Sequence, residues 1–339
     1  MMKIEAVDLF CGIGGLTAGL IKAGIIVKAG YDIEKACQFG YEYNNKAVFV
    51  FKDVADVSVD EIKAHYSPNV IRLLAGCAPC QPFSTYNNGY DTTQDKKYPL
   101  LNHFTRLIEG VLPELVTMEN VPSVVKYQVY HDFVGKLESL GYQVSAQKVE
   151  CVQYGVPQNR KRHVLLASRI GRVSLIQPTH KTPVTVKEAI GNLPKIKAGE
   201  TDKHDPLHRS AKLSALNLKR IQASKQGGTW RDWSNELIAE CHQKPSGKTF
   251  SGVYGRMSWD KPAPTMTTLC TGFGNGRFGH PEQDRAISLR EAAIFQTFPH
   301  DYVFAKSINK TVISRMIGNA VPVRLGEVVG LSFLDHLLI

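Results

Sequence analysis

The chain has 339 residues, 43% of them hydrophobic, and a formal net charge of +10 at pH 7. That length and apolar content fit a globular protein of two domains, and its apolar runs read as too short to span a membrane. Seven cysteines, odd in number and irregularly spaced, fit a reduced cytosolic setting better than a disulfide framework.

In chain order, residues 4–10 alternate loosely and lead into Cys11-Gly12-Ile13-Gly14-Gly15. A helical stretch, 16–23, follows and stops at Gly24, so the start reads as strand, glycine turn, helix, with no signal peptide. A second strand (25–31) closes at Asp32, a helix covers 35–43, and a third strand (48–51) closes at Asp53. A short helix (61–66) precedes the apolar run 70–75, which delivers Gly76-Cys77-Ala78-Pro79-Cys80-Gln81-Pro82-Phe83-Ser84. Then come a helix (100–111), an apolar strand (115–118) running into Glu119-Asn120-Val121-Pro122, and a helix (133–140) ended by Gly141. Strands 144–149 and 163–167 flank a loop over 153–162. Strands alternating with helices predict a doubly wound α/β domain.

From about residue 170 the periodicity weakens, apart from a helix over 213–221, and Gly, Pro, Lys and aromatics dominate. Residues 171–285 hold 18 Lys/Arg against 10 Asp/Glu, all three tryptophans and 12 of the 28 glycines. Such a segment suggests a polyanion-binding surface, with a merely solvated basic face as the plain alternative. Ser288-Leu289-Arg290-Glu291 is a capping box that starts a helix through Gln296. Residues 310–317 look helical, and 324–338 form an amphipathic terminal helix after Pro322.

Four stretches carry chemistry. Pro79 and Pro82 stiffen the loop that displays Cys80 at a strand's C-terminal edge, where ligands of open α/β sheets sit. Cys80 there reads as a nucleophile, a buried small hydrophobe, half of a redox Cys77-x-x-Cys80 pair, or half of a zinc site lacking its second pair. The glycine turn is a nucleotide-type site, with Asp32 placed 20 residues after Gly12 to accept from a ribose diol. Thr17 stands where a third glycine would complete the dinucleotide fingerprint, which favours an adenosine ligand without pyrophosphate. Asp53 can accept from an adenine amino group.

Glu119, at a strand end, reads by itself as a solvated carboxylate or, in apolar surroundings, as a proton donor with its pKa raised by desolvation. Gln158-Asn159-Arg160-Lys161-Arg162 leads into the following strand, and alternation puts Arg160 and Arg162 on one side. Two guanidiniums there can bind phosphate or hold a pyrimidine carbonyl and lower a thiol pKa.

Taken together, Asp8-Leu9-Phe10-Cys11-Gly12-Ile13-Gly14-Gly15-Leu16, Pro79-Cys80-Gln81-Pro82-Phe83-Ser84, Glu119-Asn120-Val121, Gln158 to Arg162, Ser288 to Ala293 with Gln296, and Gly318-Asn319-Ala320-Val321-Pro322 resemble the DNA (cytosine-5) methyltransferases, in the order typical of that family. The resemblance covers the chain except roughly 172–260. It implies a Rossmann-like α/β sheet dependent on S-adenosylmethionine (residues 1–170 plus 286–339) and a smaller inserted target-recognition domain (171–285).

It further implies Cys80 as the nucleophile toward cytosine C6, Glu119 as acid at N3 and the exocyclic amine, and Arg162 at cytosine O2 with Arg160 in support. The cofactor would be held by Phe10, Gly12, Ile13, Gly14, Gly15, Asp32, Ile33, Asp53, Val54, Pro79, Asn319 and Val321. Ile33 replaces an aromatic common in relatives. Gln81, Ser84, Asn120, Gln158, Arg256 and Arg277 are the expected substrate contacts, with Trp230, Trp233 and the glycine loop 272–279 as further candidates.

The expected partner is double-stranded DNA, with the target base flipped, no metal, and the enzyme monomeric on DNA in a bacterial cytoplasm. A restriction endonuclease acting separately is the expected counterpart. A transfer-RNA substrate, a catalytically dead DNA-binding scaffold and a dinucleotide oxidoreductase are the alternatives. Asn319 and the terminal helix are expected beside the glycine turn.

Overall fold

The computed structural model describes residues 3–79, 100–307 and 309–338. Cys80, Gln81, Pro82, Phe83 and Ser84 lie outside the described residues. By compactness the chain divides into one unit of Met1–Tyr154, Lys161–Thr179 and Ala320–Ile339, and another of Gly155–Arg160 and His180–Asn319.

The first unit opens with β1 (Ile4–Leu9), α1 (Gly15–Ala23), β2 (Ile26–Asp32), α2 (Gln38–Asn45) and β3 (Val48–Phe51). Next come α3 (Val59–Lys63), β4 (Ile71–Gly76), α4 (Leu100–Val111), β5 (Leu115–Asn120), α5 (Gln128–Ser139) and β6 (Gln143–Glu150). In the second unit a two-residue strand β7 (Gln158–Asn159) precedes β8 (Lys161–Ser168) of the first. The second unit continues with α6 (Val186–Ile190), α7 (Ala215–Ala223), α8 (Glu240–Gln243), β9 (Ala263–Pro264), α9 (Leu289–Phe295) and α10 (Lys310–Asn319). α11 (Val323–His336) returns to the first unit.

Among the described residues the first unit's sheet has the order β3-β2-β1-β4-β5-β8-β6. Its first five strands pair in parallel, while β8 runs antiparallel to both β5 and β6. Order and direction are those of an α/β, Rossmann-like fold. β1 is buried along its length, as a parallel strand covered on both faces must be. One core gathers Leu9, Leu74, Val116 and Met118 from the strands with Phe104, Leu107 and Phe133 from the helices.

Two glycines set how α11 lies on α1. A Cβ on Gly15 would come within 2.2 Å of the Val321 carbonyl oxygen, and one on Gly19 within 2.3 Å of that of Val323. Residues 310–336 together are long and apolar enough to cross a membrane by composition. However, Pro322 divides them into helices of 10 and 14 residues, each shorter than the roughly 20 a span needs.

The second unit has little sheet. β7 pairs with β9 in parallel, and a small core collects Ile221, Trp230, Trp233, Phe273 and Ala286. Ser288 caps α9 as expected, with both reciprocal capping-box bonds to Glu291 present. The same device starts α3, where Ser58 and Glu61 cap a helix that begins two residues earlier than periodicity predicts.

Candidate active site

The glycine turn starts from a strained strand end. Phe10, directly after β1, has φ 58°, a left-handed conformation that costs a non-glycine residue energy and is held by its surroundings. Gly12 follows at φ 52° with nothing within 4 Å of where a Cβ would stand, so the turn is open on that side.

The Gly12 amide does not point outward. It donates to Asp32 Oδ2 at 2.8 Å, while Glu34 N donates to Asp32 Oδ1 at 2.8 Å. These bonds fasten the end of β2 to the turn and leave each carboxylate oxygen a second lone pair. Burial raises the Asp32 pKa above its ordinary value, against the backbone amides of Glu34, Gly12 and Ile33 that lower it. Ile33, beside it, is 62% exposed. Ile13 by contrast is buried. Asp53 Oδ1 accepts from Ala55 N at 2.9 Å, which caps a short turn containing the buried Val54.

A polar chain runs beneath this turn. Thr17 Oγ1 donates to Asp8 Oδ2 at 2.7 Å and lies 3.1 Å from the Tyr41 hydroxyl. Asp8 is fully buried, its Oδ1 has no hydrogen-bond partner, and burial pushes its carboxyl up to about 7. Thr17 therefore has a structural reason to replace a third glycine: its hydroxyl serves Asp8. Sequence reasoning missed Asp8, although an acid inside an apolar strand was a signal.

The second cluster lies at the ends of β5 and β8. β5 extends through Asn120, so Glu119 and Asn120 belong to the strand and do not follow it. β8 begins at Lys161, which puts Arg162 in the sheet opposite Val149. Arg162 Nε lies 2.8 Å from Glu119 Oε1, with both side chains about one-eighth exposed (13% and 12%). The surroundings of Glu119 are thus not apolar, contrary to expectation: a guanidinium faces the carboxylate.

Asn120, 1% exposed, donates from Nδ2 to Ala78 O at 3.1 Å and accepts from Val121 N at 2.8 Å. One side chain thereby joins β5 to Ala78 and Pro79, which lead into the Cys80 segment. Cys77, whose N donates to Leu9 O at 3.2 Å, has its thiol pushed well above the ordinary range by burial and by the Glu119 charge. It is not a reactive thiolate. Ala320 and Val321 are buried, the Val321 carbonyl against Gly15, while Asn319 is the exposed last residue of α10. Among the described residues no cluster of three His, Cys, Asp or Glu side chains is placed to hold a metal ion.

The family model for C-5 cytosine-specific DNA methylases matches residues 4–334. The chain belongs to that family. It is a DNA (cytosine-5) methyltransferase, and family membership implies S-adenosylmethionine as the methyl donor. It is 50% identical over 334 residues to the Type II methylase M.HgiDII of Herpetosiphon aurantiacus, covering 96% of this chain and 94% of that one. The Type II methyltransferase M1.HphI of Haemophilus parahaemolyticus is 29% identical, over 97% of this chain and 86% of its own. In fold, the methyltransferase matches a prophage-encoded Escherichia coli protein described as a DNA modification methyltransferase, with TM-score 0.77 at 23% identity. That match covers 99% of this chain and 100% of the other.

Several expected contacts of this methyltransferase are instead internal. Gln158 is fully buried: its Nε2 donates to Phe295 O and Gln296 Oε1, and its Oε1 accepts from Met266 N. Arg160, 3% exposed, donates to Met266 O at 3.0 Å. It precedes β8, which begins at Lys161, so it lies outside the strand whose alternation was expected to set it beside Arg162. Arg256, 4% exposed, donates to the carbonyls of Ile221, Ser224, His280 and Gln283 and pairs with Asp284. Arg277 donates to the Gly227 and Gly228 carbonyls. Trp230 and Trp233 are core. Gln158, Arg160, Arg256 and the two tryptophans are thus taken up by their own unit's interior.

Proposed function

We propose that the chain methylates C5 of cytosine in double-stranded DNA at a specific sequence, as the modification enzyme of a Type II restriction system in a bacterial cytoplasm. The observation that carries this reading is the Arg162–Glu119 pair at 2.8 Å on a strand whose next residue, Asn120, holds Ala78 before the Cys80 segment. Acid and cation are thus paired at neighbouring strand ends, and the acid's own strand holds the backbone of Ala78.

The residues around the glycine turn fit S-adenosylmethionine. Open space over Gly12, the Asp32 carboxylate for a ribose diol, and Phe10 with exposed Ile33 for the adenine suit an adenosine. A Gly12 amide turned toward Asp32 does not suit a pyrophosphate. When bound, this cofactor supplies an electrophilic methyl group on a sulfonium.

Cys80 thiolate forms a bond to cytosine C6, and the electron pair displaced to C5 becomes the nucleophile for that methyl. Glu119, oriented by Arg162, donates a proton toward N3 as charge develops there, which is worth about 10²–10⁴ in rate. Arg162 retains donors for the cytosine O2. A base then takes the C5 proton, the S–C6 bond breaks and Cys80 leaves. A duplex base must be flipped to reach such a site, at a cost of a few kcal/mol. The lysine-rich second unit supplies phosphate contacts.

The test is incubation with S-adenosylmethionine and duplex DNA containing 5-fluorocytosine. Fluorine does not leave as a proton does, so a covalent complex accumulates with the parent chain and not with Cys80→Ser. An adduct formed with RNA and not with DNA would move the substrate to RNA. Methylation retained by Cys80→Ser would remove the nucleophile assignment.

A further inference from the structure

The second unit buries Trp230, Trp233 and Phe273 yet leaves Phe250 57% exposed. A single exposed aromatic needs no explanation by itself. What distinguishes this one is how its turn is held.

Trp230 Nε1 donates to Phe250 O at 3.0 Å, and Arg231 Nη2 donates to Lys248 O at 2.9 Å. Phe250 N closes on Gly247 O at 3.2 Å, and Thr249 Oγ1 on Ser246 O at 2.8 Å. Gly247 itself is wedged so closely that a Cβ would overlap the Cys241 carbonyl oxygen, 1.7 Å away. Trp230 in turn stacks on buried His242 with ring centroids 4.5 Å apart, and Arg231 lies over its outer face. The core's own tryptophan therefore fixes the backbone of a residue that stays largely exposed, although burying its ring would have been favourable.

The electrostatics select the partner. Residues 244–251 carry exposed Lys244 and Lys248 and no acidic residue. Arg231 is exposed beside them, and the nearby Asp232 carboxylate is engaged by Thr229 N. An exposed aromatic on a held turn that also carries two exposed lysines fits a base stack with phosphates nearby. Apolar side chains used as wedges in duplex DNA have this character, and the lysines neutralise phosphates on either side.

We infer that Phe250 is a DNA-contacting wedge, inserting at a base step of the bound duplex with Lys244 and Lys248 on the flanking phosphates. This rests on the proposed action on duplex DNA and adds to it one specific contact in the second unit.

The experiment uses the full chain. Phe250→Trp places a reporter on the turn, and its emission and acrylamide quenching are followed while a labelled plasmid-derived duplex is titrated in and bound, as seen by anisotropy. Quencher access to the new tryptophan is expected to fall several-fold at saturation. Phe250→Ala is expected to lower kcat/KM for methylation of plasmid DNA by about 5- to 150-fold, the worth of one base–aromatic stack. Lys248→Ala is expected to reduce the salt slope of duplex binding by about 0.9.

A Phe250→Trp protein that binds duplex with unchanged emission and quenching overturns the inference. So does a Phe250→Ala protein that methylates like the parent, or one altered only in sedimentation, which would give the surface to a second copy. Should Phe250→Ala not fold, the tryptophan reading still decides. If the parent chain transfers no methyl group to DNA while the tryptophan is protected by duplex, the functional reading fails and the contact stands.

Discussion

The two units keep their polar groups by opposite means. In the first, strand ladders satisfy the backbone, and side chains at strand ends such as Asp32, Glu119 and Arg162 are left to face one another or a ligand. In the second, one two-residue strand pairing is present among the described residues, and many carbonyls have no ladder to join. Guanidiniums collect them: Arg256 serves the carbonyls of Ile221, Ser224, His280 and Gln283, and Arg285 those of Ile196 and Ala286. Unpaired buried carbonyls are costly, and five donors in one planar fork satisfy several at once. An arginine thus counts toward net charge without belonging to the surface. All 11 lysines of 171–285 are exposed, whereas Arg256 and Arg285 are buried. A basic stretch is better judged as a DNA-binding surface by its lysines.

The largest expected effect tests that contrast. Arg285 is 0% exposed and forks onto Glu291 with two 2.7 Å bonds. Arg285→Ala strands a buried carboxylate and is expected to cost about 3–5 kcal/mol by chemical denaturation. A loss below 1 kcal/mol would show that buried arginines do not hold the second unit together.

The first unit has its own buried charge, and pH exposes it. Burial moves the Asp8 carboxyl from 3.8 to about 7. The folded state therefore binds a proton over that interval which the unfolded state releases, and stability falls as pH rises from about 4 to 7. The full contribution is about 4 kcal/mol at most. Asp8→Asn keeps an acceptor for Thr17 and is expected to flatten that slope and raise stability at pH 8. Equal pH profiles for variant and parent would show that Asp8 stays ionised throughout.

How much of this was legible follows the same divide. The strand–turn–helix at Gly12, Asp32 at the end of β2, and the apolar start of β5 follow from local patterning, because parallel strands are apolar runs and turns need glycine. The internal bonds of Arg160, Gln158 and Arg256 were not legible, because their partners are over 20 residues away and no local pattern encodes them. The Asn120 bond to Ala78, 42 residues apart, is of that long-range kind too. The start of α5 at Gln128 was also missed, since buried Val129 and Tyr130 lack a capping signal before them.

A smaller effect tests the first unit's packing. Gly19→Ala places a methyl group 2.3 Å from the Val323 carbonyl oxygen, backbone that must shift with α11. A loss of about 1–3 kcal/mol is expected from the denaturation midpoint, with the salt slope of DNA binding unchanged. A neutral result would mean that α11 lies on α1 with more room than the glycines indicate.

The smallest effect is the sharpest control on the contrast, because it removes a cation of the second unit without touching its interior. Lys195 Nζ lies 3.1 Å from Glu282 Oε1, with side chains 76% and 58% exposed. On paper this is an ion pair like Arg285–Glu291. In water, however, both groups stay solvated, and holding two long side chains in one geometry offsets the attraction. The Lys195→Ala midpoint is expected to coincide with the parent's at moderate salt. If Lys195→Ala and Arg285→Ala lowered the midpoint alike, net charge rather than burial would govern the second unit, and the distinction between its solvated and its buried cations would fall.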